Sequence, residues 1–151
     1  MAKIFIFRHG ETYDNRDHIF SGWRDTELTP EGIEEARKIG EELKNEKVTK
    51  AYHSDQIRSK HTLDLVLGGF HPGVEIVIDP RIKERNYGDL TGLNKDEIEA
   101  KEPENYKLWH RSYDTPPPNG ESIKDVEERV IPFLDELKSN LNPDDVIFIS
   151  S

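Results

Sequence analysis

The chain has 151 residues, enough for one domain that buries about two thirds of its unfolded surface. A formal net charge of −10 and 34% charged residues argue against a general nucleic-acid or anionic-membrane surface, and the absence of cysteine excludes disulfides, thiolate metal sites and a cysteine nucleophile. With no basic-then-apolar leader and no run of about 18 apolar residues, the sequence reads as soluble and cytoplasmic.

In chain order, "KIFIF" at 3–7 reads as a first strand, and "RHGET" follows directly. Thr29 caps a helix with Pro30 at its first position, and Ile33, Ala36, Gly40 and Leu43 share one face at spacings of three and four. The stretch "EGIEEARKIGEELKNEK" in and beyond it has the staggered opposite charges of a solvated helix face. "VTKAYH" near 48–53 is a second strand, and Ser54 caps a second helix running to about Leu67 before Gly68 and Gly69. "EIVI" at 75–78 is a third strand. Asn94 with Glu97 resembles a capping box that opens a third helix, and Ser122 with Asp125 a weaker one that opens a fourth. In that fourth helix Val126, Val130, Phe133, Leu137 and Leu141 form an apolar stripe, with Pro132 as a kink. "DTPPPNGES" at 114–122 reads as an ordered connection, and "VIFIS" at 146–150 is the last strand. The near-continuous apolar runs at both ends suit strands covered on both faces. Strands alternating with helices predict an α/β fold, a three-layer α/β/α sandwich with a mostly parallel sheet, in a single domain 1–151.

Parallel α/β sheets bind ligands beyond the carboxyl ends of their strands. That rule gathers Arg8, His9, Arg58 and Glu84 into one constellation. Two guanidiniums offer paired donors and permanent charge to phosphate oxygens. An imidazole between them can attack phosphorus through an unprotonated ring nitrogen, since nearby cations lower its pKa. A glutamate opposite can give a proton to the leaving oxygen or take one from the incoming hydroxyl. Gly10 allows close backbone approach to the phosphate. Trp23 and Trp109 read as packing residues near the pocket rim. His53, His61 and His71 lack ligand spacing, so no metal is expected, and no GxxxxGK loop points to nucleotide hydrolysis.

"RHGET" at 8–12 resembles the signature of the histidine phosphatase superfamily, also called phosphoglycerate mutase-like. The likeness continues through "FSGWRDTELTPEG" at 20–32, "HSDQIRSKHT" at 53–62, "KERNYGDLTGLNK" at 83–95 and "LWHRSYDTPPPNGES" at 108–122. The later blocks are most similar to the cofactor-dependent phosphoglycerate mutases in their compact form. The resemblance implies that His9 is transiently phosphorylated, that Arg8 and Arg58 hold the phosphoryl group, and that Glu84 is the proton donor. It implies a phosphate contact at Asn15, substrate contacts at Ser21 and Gly22, and a grip on the glycerate carboxylate or second phosphate by Tyr87, Lys95 and Arg111. His110 also falls in this substrate-binding set, where these mutases usually carry another arginine. The family continues past the last strand with a second active-site histidine, whereas "DVIFISS" here ends at Ser151. The expectation is therefore a fragment of a longer chain, or an impaired protein dependent on self-association.

The leading functional expectation is a phosphoglycerate mutase of glycolysis and gluconeogenesis, interconverting 2- and 3-phosphoglycerate after priming by 2,3-bisphosphoglycerate. The alternatives are a phosphomonoesterase of the same superfamily and a truncated phosphate-binding module. The partners expected are a small phosphorylated anion and, by analogy, a second copy of the chain in a homodimer.

Overall fold

A computed structural model describes residues 1–151. The apolar runs become four parallel strands, β1 (Lys3–Phe7), β2 (Lys50–His53), β3 (Glu75–Ile78) and β4 (Val146–Ser150), in the order β1-β4-β2-β3. Six helices accompany them: α1 (Tyr13–Arg16), α2 (Pro30–Leu43), α3 (Ile57–Leu67), α4 (Lys95–Lys101), α5 (Pro103–Arg111) and α6 (Ile123–Ser139). Alternation along the strands sorts side chains to two faces. On one face Phe148, Ala51, Phe5 and Phe7 pack against Ala36 of α2 and Leu63, Val66 and Leu67 of α3. On the other, Ile147, Ile149 and Tyr52 pack against Phe133 and Leu137 of α6. This is the expected three-layer α/β/α sandwich, and no helix is long and apolar enough to cross a membrane.

Several details depart from the sequence reading. β1 is an edge strand covered on one face only, leaving Ile4 and Ile6 43% and 68% exposed, while β4 takes the centre and is covered on both faces. Ser54 caps no helix: its hydroxyl accepts from the Gln56 amide, and α3 begins at Ile57 after Gln56, which has no side-chain cap. Strand β2 starts at Lys50 rather than Val48. The third helix is divided at Pro103 into α4 and α5, since a proline cannot continue the amide ladder but suits a new first turn. At Asn94 only half a box forms, the side chain accepting from the Glu97 amide, while Ser122 and Asp125 make both bonds of theirs. Pro132 lies within a continuous α6, which stops at Ser139, two residues before Leu141.

Hydrogen bonds tie the carboxyl end of β4 to that of β1 and to the start of α3. His9 N donates to Ser151 O at 2.9 Å, and Ser59 Oγ to Ser150 O at 2.7 Å. The loop after β1 crosses the first turn of α2 backbone to backbone: a Cβ on Gly10 would sit 2.2 Å from Gly32 O, and one on Gly32 2.1 Å from Glu11 O. Only glycine permits that approach, and Gly10 N is anchored on Thr62 Oγ1 at 3.1 Å.

Candidate active site

At the end of β1 the His9 ring donates its Nδ1 proton to Gly10 O at 2.7 Å, because a carbonyl can only accept. That bond fixes the tautomer and leaves the Nε2 lone pair free. Burial, followed by the charges of Arg58 and Arg8, holds the His9 pKa well below its ordinary 6.5, at about 4, although the Gly10 bond and Glu84 pull the other way. The ring is therefore neutral at pH 7 and can act as a nucleophile.

The same burial makes folding stability depend on pH. Between pH 4 and 6.5 the unfolded chain binds more protons at His9 than the folded one, so this contribution is complete above 6.5 and is lost as pH falls towards 4. Urea unfolding at pH 7 and 4.5 is expected to show wild type losing about 2 to 3 kcal/mol more than His9→Gln over that interval. Equal losses would mean that the ring is not desolvated.

Arg8 and His9 line two cavities, of about 760 and 600 Å³. The larger also receives Glu84, Tyr87, His110 and Arg111, and the smaller receives Asn15. Asn15 Oδ1 accepts from Thr12 N at 3.0 Å in a capping box, which leaves its NH2 as the remaining donor. Arg58 lies beneath the site, 1% exposed, its guanidinium donating to Gly22 O at 2.9 Å and Arg24 O at 3.0 Å. Burial lowers its pKa. Ser21 and Gly22 are buried as well. Arg58, Ser21 and Gly22 thus form a floor, and none of the three lines either large cavity.

Beside the larger cavity Lys95, Tyr87 and His110 gather around Phe20, which is fully buried, although Lys95 lines neither cavity. Lys95 Nζ stands 5.5 Å from the Phe20 ring centroid, and Tyr87 and His110 pack at 4.8 and 6.1 Å. Burial and then Arg111, Lys95 and Arg85 push the His110 pKa down. Burial likewise lowers that of Lys95, against the attraction of Glu84.

Two residues here escape the sequence reading, and a third has a role beyond the one expected. Arg85 is 6% exposed, stacks on Tyr87 at 4.6 Å and donates to His110 O at 3.2 Å, yet its buried Nη1 has no partner. Gln56 joins the two halves, donating to Gly22 O at 2.9 Å and accepting from Glu84 N at 3.2 Å. Trp23 does more than pack, since its Nε1 donates to Glu84 O at 2.9 Å. The available signal for Arg85 was its place inside "KERNYG", beside Glu84.

Residues 4–151 match the sequence model of the histidine phosphatase superfamily, branch 1. The chain belongs to that superfamily. Within it, the chain is 42% identical over 134 residues to a 2,3-bisphosphoglycerate-dependent phosphoglycerate mutase of Bradyrhizobium sp. strain BTAi1, covering 86% of this chain and 65% of that protein. It is 44% identical over 135 residues to the protein of the same name from Nitrobacter hamburgensis, covering 87% and 65%. This histidine phosphatase chain thus spans 65% of the length of these curated relatives. Among solved structures it is similar to Bacillus stearothermophilus YhfR, with a TM-score of 0.90 and 27% identity over 100% of this chain and 74% of that one. The α-ribazole phosphatase of Shigella flexneri superposes with a TM-score of 0.84 at 29% identity, over 98% and 72%. A mycobacterial glucosyl-3-phosphoglycerate phosphatase gives 0.84 at 29%, over 95% and 72%.

Proposed function

We propose that this chain carries the phosphoryl-transfer site of a phosphoglycerate mutase, primed by 2,3-bisphosphoglycerate. His9 Nε2 attacks the phosphorus, the P–O bond breaks with its electron pair going to the departing oxygen, and Glu84 supplies the proton to that oxygen. Arg8 and Asn15 hold the phosphoryl oxygens, and Arg58 behind them adds buried positive charge near His9. The returning step runs in reverse from the other oxygen of the glycerate.

One observation carries the mutase reading over simple hydrolysis: Arg85 and Arg111 line the same cavity as Arg8, with Arg85 bonded to His110 O and Lys95 close behind on the Phe20 ring. A bisphosphorylated intermediate must be retained while it reorients, and that needs a cationic rim beyond the first phosphate pocket. Burial disfavours the charged form of His110, but Arg85 stands in the same rim, so the departure from arginine at 110 does not leave the rim without a buried cation. The names of the curated relatives support the same reading.

The second reading is a phosphomonoesterase. It is favoured by the opening of His9 to two cavities, which gives water a path to a phosphohistidine, and by the names of the solved phosphatases. With 3-phosphoglycerate and catalytic 2,3-bisphosphoglycerate, the mutase reading expects 2-phosphoglycerate to form faster than inorganic phosphate. Release of phosphate at the same rate or faster would favour the esterase.

A further inference from the structure

Residues 83–87 belong to no strand or helix, so their backbone groups must find partners elsewhere. They find many of them on side chains, and above all on Arg129 of α6. Its Nη1 donates to Arg81 O at 2.6 Å, and its Nη2 to Lys83 O at 2.9 Å and Glu84 O at 3.0 Å. Its Nε donates to Glu121 Oε1 at 2.9 Å. Glu121 extends the clamp, its Oε2 accepting from Asn86 N at 2.9 Å and its own amide donating to Asn86 O at 2.8 Å. Both side chains of the pair are less than a fifth exposed. The segment 81–86 is thus strapped to α6 by one ion pair, and no flexible ammonium could span three carbonyls in that way.

The Glu84 carboxylate is tied to the same strap, since its Oε1 accepts from Arg85 N at 2.7 Å. Gln56 and Trp23 hold the Glu84 amide and carbonyl from the opposite side. Wherever the strap moves, the carboxyl moves with it.

We propose that Arg129, paired with Glu121, is the positioning residue that sets the Glu84 carboxyl against the departing oxygen without touching the substrate. Arg129 does not line the cavity. The proposal rests on the reading in which Glu84 delivers the proton as the P–O bond breaks and the bond from His9 to phosphorus forms. Transfer from an acid requires hydrogen-bond reach of the receiving oxygen. Loss of Arg129 should therefore fall on substrates whose leaving oxygen needs that proton.

The test compares phosphorylation of the chain by 3-phosphoglycerate, an alkyl ester, and by 4-nitrophenyl phosphate, whose phenolate departs unprotonated. The variants are Arg129→Met and the charge-matched Arg129→Met/Glu121→Gln, which avoids a stranded buried carboxylate if the single variant folds poorly. Expected is a rate loss on the alkyl ester roughly 10²-fold greater than on the aryl ester. KM should change little, and Arg129→Met should add nothing further in a Glu84→Gln background. Independently of turnover, amide exchange at Arg85 and Asn86 should rise about tenfold, while β2 and β4 stay protected. Equal losses on both esters, or unchanged exchange at Arg85, overturn the proposal. If Glu84→Gln itself treats the two esters alike, the reading of Glu84 as proton donor fails, and exchange at Arg85 still decides whether Arg129 holds the strap.

Discussion

His9→Asn is expected to abolish the covalent phosphoenzyme and lower phosphoryl transfer by on the order of 10⁶-fold, while the chain still folds. Asparagine places an NH2 donor close to where the ring carries Nδ1, so the bond to Gly10 O can persist. What it lacks is a second nitrogen with a free lone pair on the cavity side. Nothing else there replaces it: His110 is the other imidazole lining the larger cavity, and it sits in the far rim beside Phe20. Single-turnover labelling measures the loss, and urea unfolding at pH 7 shows that the fold survives. A variant that kept a tenth of the wild-type rate would place the nucleophile elsewhere.

Arg58→Lys is expected to cost both stability and rate. The guanidinium is 1% exposed and holds Gly22 O and Arg24 O together, 36 and 34 positions away in sequence. A lysine carries its charge on one nitrogen and cannot span the two carbonyls with the planar fork of a guanidinium. Losing one of the two carbonyl bonds and leaving the buried ammonium poorly solvated should destabilise the fold by about 2 to 4 kcal/mol. Displacing this preorganised buried charge and the backbone floor it holds should lower kcat by roughly 10² to 10³. Denaturant titration reads the first effect and turnover at saturating substrate the second. If the variant matches wild type in stability, the floor of the site does not depend on that fork.

The fold was legible where a local pattern has one physical solution. Thr29 before Pro30 caps α2 as expected, its hydroxyl accepting from Gly32 N at 3.1 Å, and the bounds of β1, β3 and β4 follow their apolar runs. The place of each strand in the sheet was not legible. "KIFIF" and "VIFIS" are near-equal in composition, yet one lies at the edge and the other at the centre, because crossovers rather than residue types decide which strand is inserted between two others. The division of α4 from α5 was signalled by Pro103, whereas the shift of the α3 start from Ser54 to Gln56 depends on tertiary bonds at the end of β2.

The same division holds at the site. His9, Arg8 and Glu84 can be read from their position after strands and within matching blocks. The residues that aim them cannot. Gln56 meets Glu84 across 28 positions, and Arg129 meets Arg81 across 48. A bond of that span leaves no periodicity in the chain, so each partner looks like an ordinary surface polar residue until the fold brings it under the strap.

The central claim is that a neutral, tautomer-fixed His9 accepts phosphorus on its free nitrogen. The most direct measurement incubates the folded chain with 2,3-bisphosphoglycerate, quenches it in base or in acid, and locates the phosphoryl group by peptide mass spectrometry. The expected product is a base-stable, acid-labile phosphate on His9. A folded chain that acquires no phosphate, or acquires it on any other residue, contradicts the claim.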